Sequence, residues 1–374
     1  MSIEIRKVTT KRELRDFITF PETIYGNNPN WVPALVFDDM NTLNKDKNPA
    51  FEFCEAEYWT AWKDGAMVGR IAGIVNRRYI EKWGNKYARF GWIDFIEDFA
   101  VAEALVKTVE DWAASKGMEG VHGPLGFTDL DREGMLVEGF NERATFATIY
   151  NHPYYSQYME RLGYAKDIDW VEFQVETPEA IPEKVLRVNE ILAKRSGVRV
   201  IEWKNKKDLL AKYADQIFEL LDEGYAHLYG TTPLSEKQVK AYIDQYLGFV
   251  DPRFTKVMVD SEDKLAGFAI TLPSLSEALY KCRGRLFPFG WARLLWALKH
   301  PTTIDMMLVA VRKEYLARGT IAILMTALNQ SAIENGIKYS ETNPELETNI
   351  AIQGLWKSYS KRQHKRRRVY LKKI

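Results

Sequence analysis

The segment between Met306 and Leu324 carries residues whose types and spacing could bind phosphate. An apolar, strand-like run passes through a basic turn, LARGT at residues 316–320, into a helical pattern. A helix that begins after such a turn presents unpaired backbone N–H groups and the positive end of its dipole. Phosphate groups bind at sites of this kind. The segment therefore predicts a phosphate-binding turn, although glycine also occupies such turns for backbone reasons alone.

The sequence after the next strand adds carboxylates that could act as bases. A strand that ends near Ser340 runs into ETNPELETN at residues 341–349. Glu341 or Glu347 could take a proton from an attacking amine, directly or through water. An equal alternative is that these glutamates face solvent and that Thr348 or Asn349 caps the next helix.

A loop in the first half concentrates acidic and aromatic residues. Its carboxylates are Asp129, Asp131, Glu133 and Glu138. Such a loop could form one wall of a substrate cleft and bind a cationic amine. Loop carboxylates are more often simply solvated, so both interpretations stay open at this point.

The elements that must position these residues occur twice along the chain. Each copy begins with a short alternating strand and a capped helix start, at Thr9-Thr10 and at Asn205. A hairpin, a further strand and a helix that ends near Gly117 or Gly336 follow. This order describes a mixed α/β (α+β) fold, with a mixed sheet covered by helices. A helical segment from Thr177 separates the copies, which places the boundary near residue 180.

The order of elements and the Arg318-Gly319 turn resemble the GNAT superfamily, the Gcn5-related N-acetyltransferases. In that family a basic, glycine-containing loop holds the CoA pyrophosphate. Asn151, Tyr158 and Leu162-Gly163-Tyr164 resemble the end of a GNAT domain. The segments GPLGFTDLDREGMLVEGF and YNHPYYSQYMERLGY resemble a bacterial group of tandem GNAT-like proteins described as acetyltransferases of unknown substrate.

The resemblance implies two tandem GNAT-like (acyl-CoA N-acyltransferase) domains. Residues 1–180 would form a domain without a pyrophosphate loop, because the acidic residues Glu97 and Asp98 precede its helix and would repel phosphate. Residues 181–374 would form a domain with a candidate acyl-CoA site. The implied function is transfer of an acetyl or other acyl group from CoA, as cosubstrate, to a small-molecule amine or peptide, without a metal.

The resemblance also assigns roles to individual residues. Binding of acyl-CoA would fall to Val309, Val311, Arg318, Gly319, Thr320 and Asn349. The catalytic candidates are Glu341 and Glu347 as bases, and Tyr158 or Tyr359 as the acid that protonates the leaving thiolate. Asn151 and Tyr158 could instead be a helix cap and part of a packed aromatic stripe.

Several residues depart from the family pattern and leave two alternatives open. The family has Arg or Gln where this chain has Leu316, Gly or Ala where it has Ile321, and Tyr where it has Trp356. A catalytically degenerate ligand-binding or scaffold protein would fit these changes. The basic tail, KRQHKRRRVYLKKI, gives slight support to an aminoacyl-tRNA-dependent transferase, but it is more typical of a solvated edge strand protected by charge.

Composition excludes several classes of protein. With 52 basic and 51 acidic residues the net charge is +1, so the chain has no overall attraction for nucleic acid. Cys54 and Cys282 form no metal pattern. The N-terminus lacks the apolar core of a signal peptide, which predicts a cytoplasmic protein.

The apolar run from Leu286 to Leu298 is too short to cross a bilayer, so no membrane partner is expected. It could cover the core, contact another domain or a second copy in a homodimer, or line a substrate pocket.

Overall fold

The computed structural model of the protein describes residues 2–246 and 249–374. Within these residues, fourteen strands belong to one continuous mixed sheet. The strands are β1 (Glu4–Lys7), β2 (Cys54–Lys63), β3 (Ala66–Asn76), β4 (Tyr87–Phe95), β5 (Gly120–Gly123), β6 (Met135–Glu138), β7 (Ala165–Glu176), β8 (Arg199–Ile201), β9 (Thr255–Val259), β10 (Leu265–Pro273), β11 (Thr303–Val311), β12 (Tyr339–Thr342), β13 (Glu345–Leu346) and β14 (Lys361–Lys373).

Helices cover the sheet. They are α1 (Lys11–Thr19), α2 (Pro21–Tyr25), α3 (Val36–Thr42), α4 (Arg77–Trp83), α5 (Phe99–Ser115), α6 (Tyr154–Arg161), α7 (Glu183–Ser196), α8 (Lys206–Tyr225), α9 (Glu236–Tyr246), α10 (Ser276–Cys282), α11 (Gly290–Lys299), α12 (Lys313–Leu316), α13 (Ile321–Glu334) and α14 (Ile350–Gly354). Short 3₁₀ turns span Pro49–Glu52 and Leu355–Ser358. In the described part of the chain, no helix is long and apolar enough to cross a membrane.

The structure confirms the mixed α/β fold and the repeated order of its elements. The β2–β3 and β9–β10 hairpins occupy equivalent places in the two halves. Thr10 forms a capping box with Glu13 at the start of α1, and the side chain of Asn205 caps α8. These local signals fix where the first helix of each copy begins.

The two halves exchange their last strands. The order across the sheet is β1-β2-β3-β4-β5-β14-β7-β12-β11-β10-β9-β8. The C-terminal strand β14 therefore lies between β5 and β7, and β7 lies between β14 and β12. The boundary near residue 180 falls between β7 and α7 and stays a prediction.

The expectation that the basic tail forms a solvated edge strand is wrong. β14 pairs with β5 and β7 on its two sides, so it is an interior strand. Its cations are matched by carboxylates of β7. Lys365 and Arg367 both contact Glu172, and all three side chains are fully buried. Arg366 and Arg368 both contact Asp169.

The apolar run from Leu286 to Leu298 lies mainly in α11. Leu294 is buried in the core of the first half, together with Leu279 of α10 and Leu275, which precedes that helix. The opposite side of α11 is exposed and carries Trp291 and Leu295. One face of the run therefore covers the core, as one of the sequence hypotheses proposed, and the other face reaches the surface.

Candidate active site

A gap opens in the sheet where β11 and β12 separate. These parallel strands pair only from Thr303 to Met306 on β11. After Thr342 the chain bends at Pro344, and β13 pairs with β7 instead. Because β11 continues straight to Val311 while its neighbour turns away, the edge of β11 beyond Met306 faces a space between the strands.

A cavity of about 1100 Å³ occupies this region. Residues of both halves line it, and most of them are apolar. The apolar wall comes from α8, α10, β10 and β11 and includes Leu221, Leu275, Leu279, Leu308 and Ile217. The cavity is large enough for a ligand well beyond the size of an acetyl group and a small amine.

The free edge of β11 forms part of the cavity wall. Val309 and Val311, both expected to bind cosubstrate, line the cavity. The Tyr225 hydroxyl lies 3.3 Å from the Val309 carbonyl oxygen, to which it donates, and 3.4 Å from the Val309 amide, from which it accepts. Burial raises the pKa of Tyr225 to about 12, so the phenol stays protonated. Since alternate residues of a strand point their backbone groups to the same side, Val311 directs its N–H the same way as Val309.

A carboxyl group with a near-neutral pKa also faces the cavity. Glu345 of β13 lines it, and its Oε1 accepts a 2.7 Å hydrogen bond from the Trp356 indole N–H. Its Oε2 is buried and receives no hydrogen bond from any residue that the structure describes. Burial raises the pKa of Glu345 to about 7. A carboxylate with this pKa can accept a proton near neutral pH.

The acidic loop of the first half forms another part of the cavity wall. Asp129, Asp131 and Glu133 line the cavity, together with Asp38 and Asp39 from α3. The pKa of Asp38 and that of Asp131 are each raised to about 6, and burial is the main cause in both cases. This wall therefore holds carboxyl groups that a bound cation would help to ionise.

Two members of the acidic wall already have partners. Arg132 donates a 2.6 Å hydrogen bond to Asp39. Asp131 accepts hydrogen bonds from the amides of Phe127 at 2.7 Å and Thr128 at 3.1 Å. Glu138, the remaining acid of the loop, lies in β6 and pairs with Arg366 instead.

Glu341 and Glu347 lie outside the cavity lining. Glu341 accepts a 2.8 Å hydrogen bond from Gln174, and its Oε2 is 2.9 Å from His364 Nε2. Burial acts to raise the pKa of Glu341, but His364 and Lys365 outweigh it and leave the pKa lowered. Glu347 forms ion pairs with Lys166 at 2.6 Å and with Arg366 at 3.3 Å.

The two tyrosine candidates also lie away from the cavity. Tyr158 is stacked on Phe95 and meets Phe99 edge to face, in an aromatic stripe of the first half. The Tyr359 hydroxyl accepts a 2.7 Å hydrogen bond from Asn329.

The asparagines have different environments. Asn349 lines the cavity, and its side chain caps α14 by accepting from the Ile352 amide. Asn151 does not cap α6, which begins at Tyr154. Its side chain instead bonds the backbone N–H and C=O of Leu136, because the 151 segment lies beside β6.

The basic turn at residues 316–320 follows a short helix, α12, rather than the strand directly. The amides of Arg318 and Thr320 donate to the Tyr315 carbonyl, and the amide of Gly319 donates to the Leu316 carbonyl, both at the end of α12. Gly319 has a φ of 79°, which explains the glycine. Arg318 and Gly319 are exposed, and none of Arg318, Gly319 and Thr320 lines the cavity. In the first half, Asp98 caps α5 and pairs with Lys63.

Several solved structures share this architecture over the whole length of the chain. A tandem GNAT protein from the clavulanic acid biosynthesis pathway superposes with a TM-score of 0.55 and 12% identity, covering 100% of this chain and 98% of the other. A GCN5-related N-acetyltransferase from Sphaerobacter thermophilus gives a TM-score of 0.54 and 13% identity, covering 99% and 95%.

The protein has the tandem GNAT fold. Two curated proteins resemble it over their full length. Protein YghO of Escherichia coli K12 is 29% identical, over 99% of this chain and 95% of that protein. A bacterial ceramide synthase of Caulobacter vibrioides is 26% identical, over 100% and 98%. The chain matches no model of a protein family.

The sequence did not indicate Glu345 or Tyr225 as residues of the candidate site. The signal for Glu345 was Pro344, which ends β12 and starts a short strand with a new orientation. Tyr225 comes from α8, far away in sequence, and only the folded chain brings it to Val309. In the described residues, no group of three or more His, Cys, Asp or Glu side chains could hold a metal ion.

Proposed function

We propose that this protein transfers an acyl group from acyl-CoA to the primary amine of a long-chain, amphiphilic acceptor. The observation that carries the proposal is the composition of the cavity. A large apolar volume lies beside the edge of β11, and Glu345 and the acidic wall line the same cavity. An amine with a long hydrocarbon chain matches both properties.

The size and lining of the cavity support a long-chain substrate. A cavity of about 1100 Å³ exceeds what an acetyl group and a small amine would fill. Its apolar wall gains free energy by removing hydrocarbon from water, at about 0.8 kcal/mol per buried CH₂ group. The ceramide synthase of Caulobacter vibrioides is named for forming an N-acylated long-chain amine, which supports the same substrate class here.

The acidic wall and Glu345 support amine chemistry. Burial raises the pKa of Asp38, Asp129 and Glu133, and a bound ammonium group favours their ionised form, to which it is then attracted. The Glu345 carboxylate then takes one proton from it, and the freed nitrogen lone pair attacks the thioester carbonyl carbon. The C–S bond breaks, and the remaining extra proton of the nitrogen goes to the CoA thiolate. The products are an amide and CoA thiol.

The backbone of β11 is the proposed contact for the cosubstrate. An extended chain with amide groups can pair with a strand edge that has no neighbouring strand. On β11 such a chain would displace the Tyr225 hydroxyl from the N–H and C=O of Val309 and would also meet Val311. The Val311 N–H is the proposed donor to the oxyanion that forms during the attack. Arg318 is exposed and remains the predicted contact for phosphate, although its turn amides are already used within the turn.

The competing candidate is a binding protein without catalysis. The occupied amides of the turn and the absence of a tyrosine at Trp356 favour it. The tRNA-dependent alternative loses its support, because the cations of β14 that favoured it lie against carboxylates of the same sheet. A peptide acceptor, a homodimer and a cytoplasmic location stay predictions.

The test is release of CoA thiol with matched donors and acceptors. Acetyl-CoA and palmitoyl-CoA are each combined with a short and a long primary amine, and free thiol is measured. We expect turnover to rise with the chain length of the amine. Binding of acyl-CoA without thiol release from any pair would favour the binding protein and overturn the enzyme.

A further inference from the structure

The loop before α11 and the outer face of α11 form an exposed apolar surface, which we call the aromatic patch. Its residues have exposed fractions of 80% for Phe287, 72% for Phe289, 65% for Trp296, 50% for Leu295 and 49% for Trp291. Soluble proteins rarely expose so many large apolar side chains in one segment. Such a surface usually binds a partner.

The packing of α11 explains why the patch cannot turn inward. Leu294 is buried in the core of the first half, and Leu298 packs partly against the same core. Trp291 and Leu295 are four residues apart and share the outer face of the helix. Because α11 is apolar on both faces, burying one face necessarily exposes the other.

A basic rim flanks the aromatic patch. Between residues 281 and 300 the sequence has five Lys and Arg residues and no Asp or Glu. These cations are Lys281, Arg283, Arg285, Arg293 and Lys299. Arg283 and Arg285 pair with Glu22, and Lys281 pairs with Glu277. Arg293 and Lys299 are therefore the rim cations that form no ion pair within the described residues. Trp and Phe side chains flanked by Lys and Arg are typical of surfaces that lie in the interface of an anionic bilayer. A second copy on the same patch would bring two sets of cations together, which opposes self-association.

The aromatic patch adjoins the cavity. Leu279 of α10 and Leu275, which precedes this helix, line the cavity, and α10 packs against α11. Phe37 also lines the cavity and is 62% exposed. It lies next to Val36, whose amide donates a 3.1 Å hydrogen bond to the Gly284 carbonyl just before the patch. The patch and the cavity are therefore built on neighbouring elements, α10 with α11 and the start of α3.

We propose that the aromatic patch docks on the surface of an anionic lipid bilayer, from which the long-chain amine enters the cavity. The identity of the arriving substrate rests on the proposed function, whereas docking itself does not. The docking is peripheral and involves no membrane-spanning helix. Side chains of Phe287, Phe289 and Trp296 enter the interface, and the basic rim contacts lipid phosphates.

Vesicle flotation of the full chain tests the docking. The vesicles contain either phosphatidylcholine alone or phosphatidylcholine with phosphatidylglycerol. We expect the protein to float with the anionic vesicles and to lose this binding at high salt. The triple variant Phe287→Ser, Phe289→Ser, Trp296→Ser should bind at least about tenfold more weakly. The matched control is Val188→Ser, Ile191→Ser on α7, whose side chains are also exposed but lie outside the patch.

A second variant covers the case in which the triple variant fails to fold. Arg293→Glu, Lys299→Glu leaves the apolar residues intact and should also abolish flotation with anionic vesicles. Docking is overturned if the unmodified protein stays unbound to every vesicle, or if the α7 control loses as much binding as the patch variants. It is also overturned if the patch variants change only the oligomeric state measured by light scattering.

Thiol release with a short, water-soluble amine and no vesicles separates docking from the proposed function. This reaction needs the cavity but not the membrane, so the patch variants should retain it. Loss of flotation with retained thiol release supports the docking surface. Flotation without any thiol release would leave the docking supported and the proposed function refuted.

Discussion

At the scale of single residues, Trp356 and Glu345 form one unit. The family pattern expects a tyrosine where Trp356 stands, and the sequence alone suggested lost chemistry. In the structure the Trp356 indole N–H orients Glu345, whose second oxygen is buried beside the cavity without a hydrogen bond from the described residues. The tryptophan that replaces the family's tyrosine therefore holds a carboxylate that can serve as the base.

Glu345→Gln tests this role. Glutamine has the same shape and can still accept from Trp356, but it cannot take a proton. We expect kcat to fall by about 10²- to 10⁴-fold. In the unmodified protein, kcat/KM should rise with pH through about 7, since the base works when it is deprotonated. Glu347→Gln provides the comparison, because that side chain pairs with Lys166 outside the cavity; an equal loss there would contradict the assignment.

The same substitution should stabilise the protein at high pH. The folded-state pKa of Glu345 is raised from 4.5 to about 7, so the folded protein holds this proton more tightly than the unfolded chain. Below pH 4.5 both states are protonated and the shift has no effect. Between pH 4.5 and 7 the free energy of unfolding falls as pH rises. Above pH 7 it stays lower by the full cost of ionising the buried Glu345. Urea unfolding at pH 8 should show Glu345→Gln more stable by up to about 3 kcal/mol, with a smaller difference at pH 5.

At the scale of elements, the path of β14 decides how the halves are joined. The run of Lys and Arg residues looked like protection for an exposed edge, because sequence shows charges but not their partners. Glu172 and Asp169 lie on β7, and nothing in the spacing of the sequence indicated that β14 would lie beside this strand. Long-range pairing of this kind depends on the whole sheet rather than on local pattern.

Glu172→Gln tests the buried contact between β7 and β14. Burial acts to raise the pKa of Glu172, but Arg367 and Lys365 lower it to about 2. The carboxylate therefore stabilises the fold above pH 4.5, and this stabilisation is lost as pH falls toward 2. Neutralising it leaves two buried cations uncompensated and should cost about 3–5 kcal/mol in chemical denaturation at pH 7.

Asp111→Asn is the matched control for this measurement. Asp111 forms an exposed pair with Lys107 on α5, so its loss should cost less than about 0.5 kcal/mol. Similar costs for the two variants would show that the buried contact does not hold the sheet together.

At the scale of the whole molecule, the exchange of strands makes the halves depend on each other. The repeat predicted the tandem fold because strand and helix periodicity are local properties. The cavity could not be predicted in the same way, since its walls come from α3 and the acidic loop of one half and from α8 and β11 of the other. Asp129 was suspected as a cleft wall, but its neighbours there were unknown.

The shared sheet predicts a single unfolding transition. Residues 1–180 lack β14 and residues 181–374 lack β7, so each separate half would expose unpaired strand edges. We expect the halves to be insoluble alone and to form a soluble complex when coexpressed. Calorimetry of the intact chain checks the same point, and two well-separated transitions would contradict it.

The most direct test of acyl transfer to a long-chain amine is the mass of the product. The protein is incubated with palmitoyl-CoA and a ¹⁵N-labelled long-chain primary amine, and the lipid extract is examined by mass spectrometry. We predict the ¹⁵N-labelled N-palmitoyl amide with the unmodified protein, and a large loss of it with Glu345→Gln. An extract without that amide, from folded protein that binds palmitoyl-CoA, would refute the proposed acyl transfer.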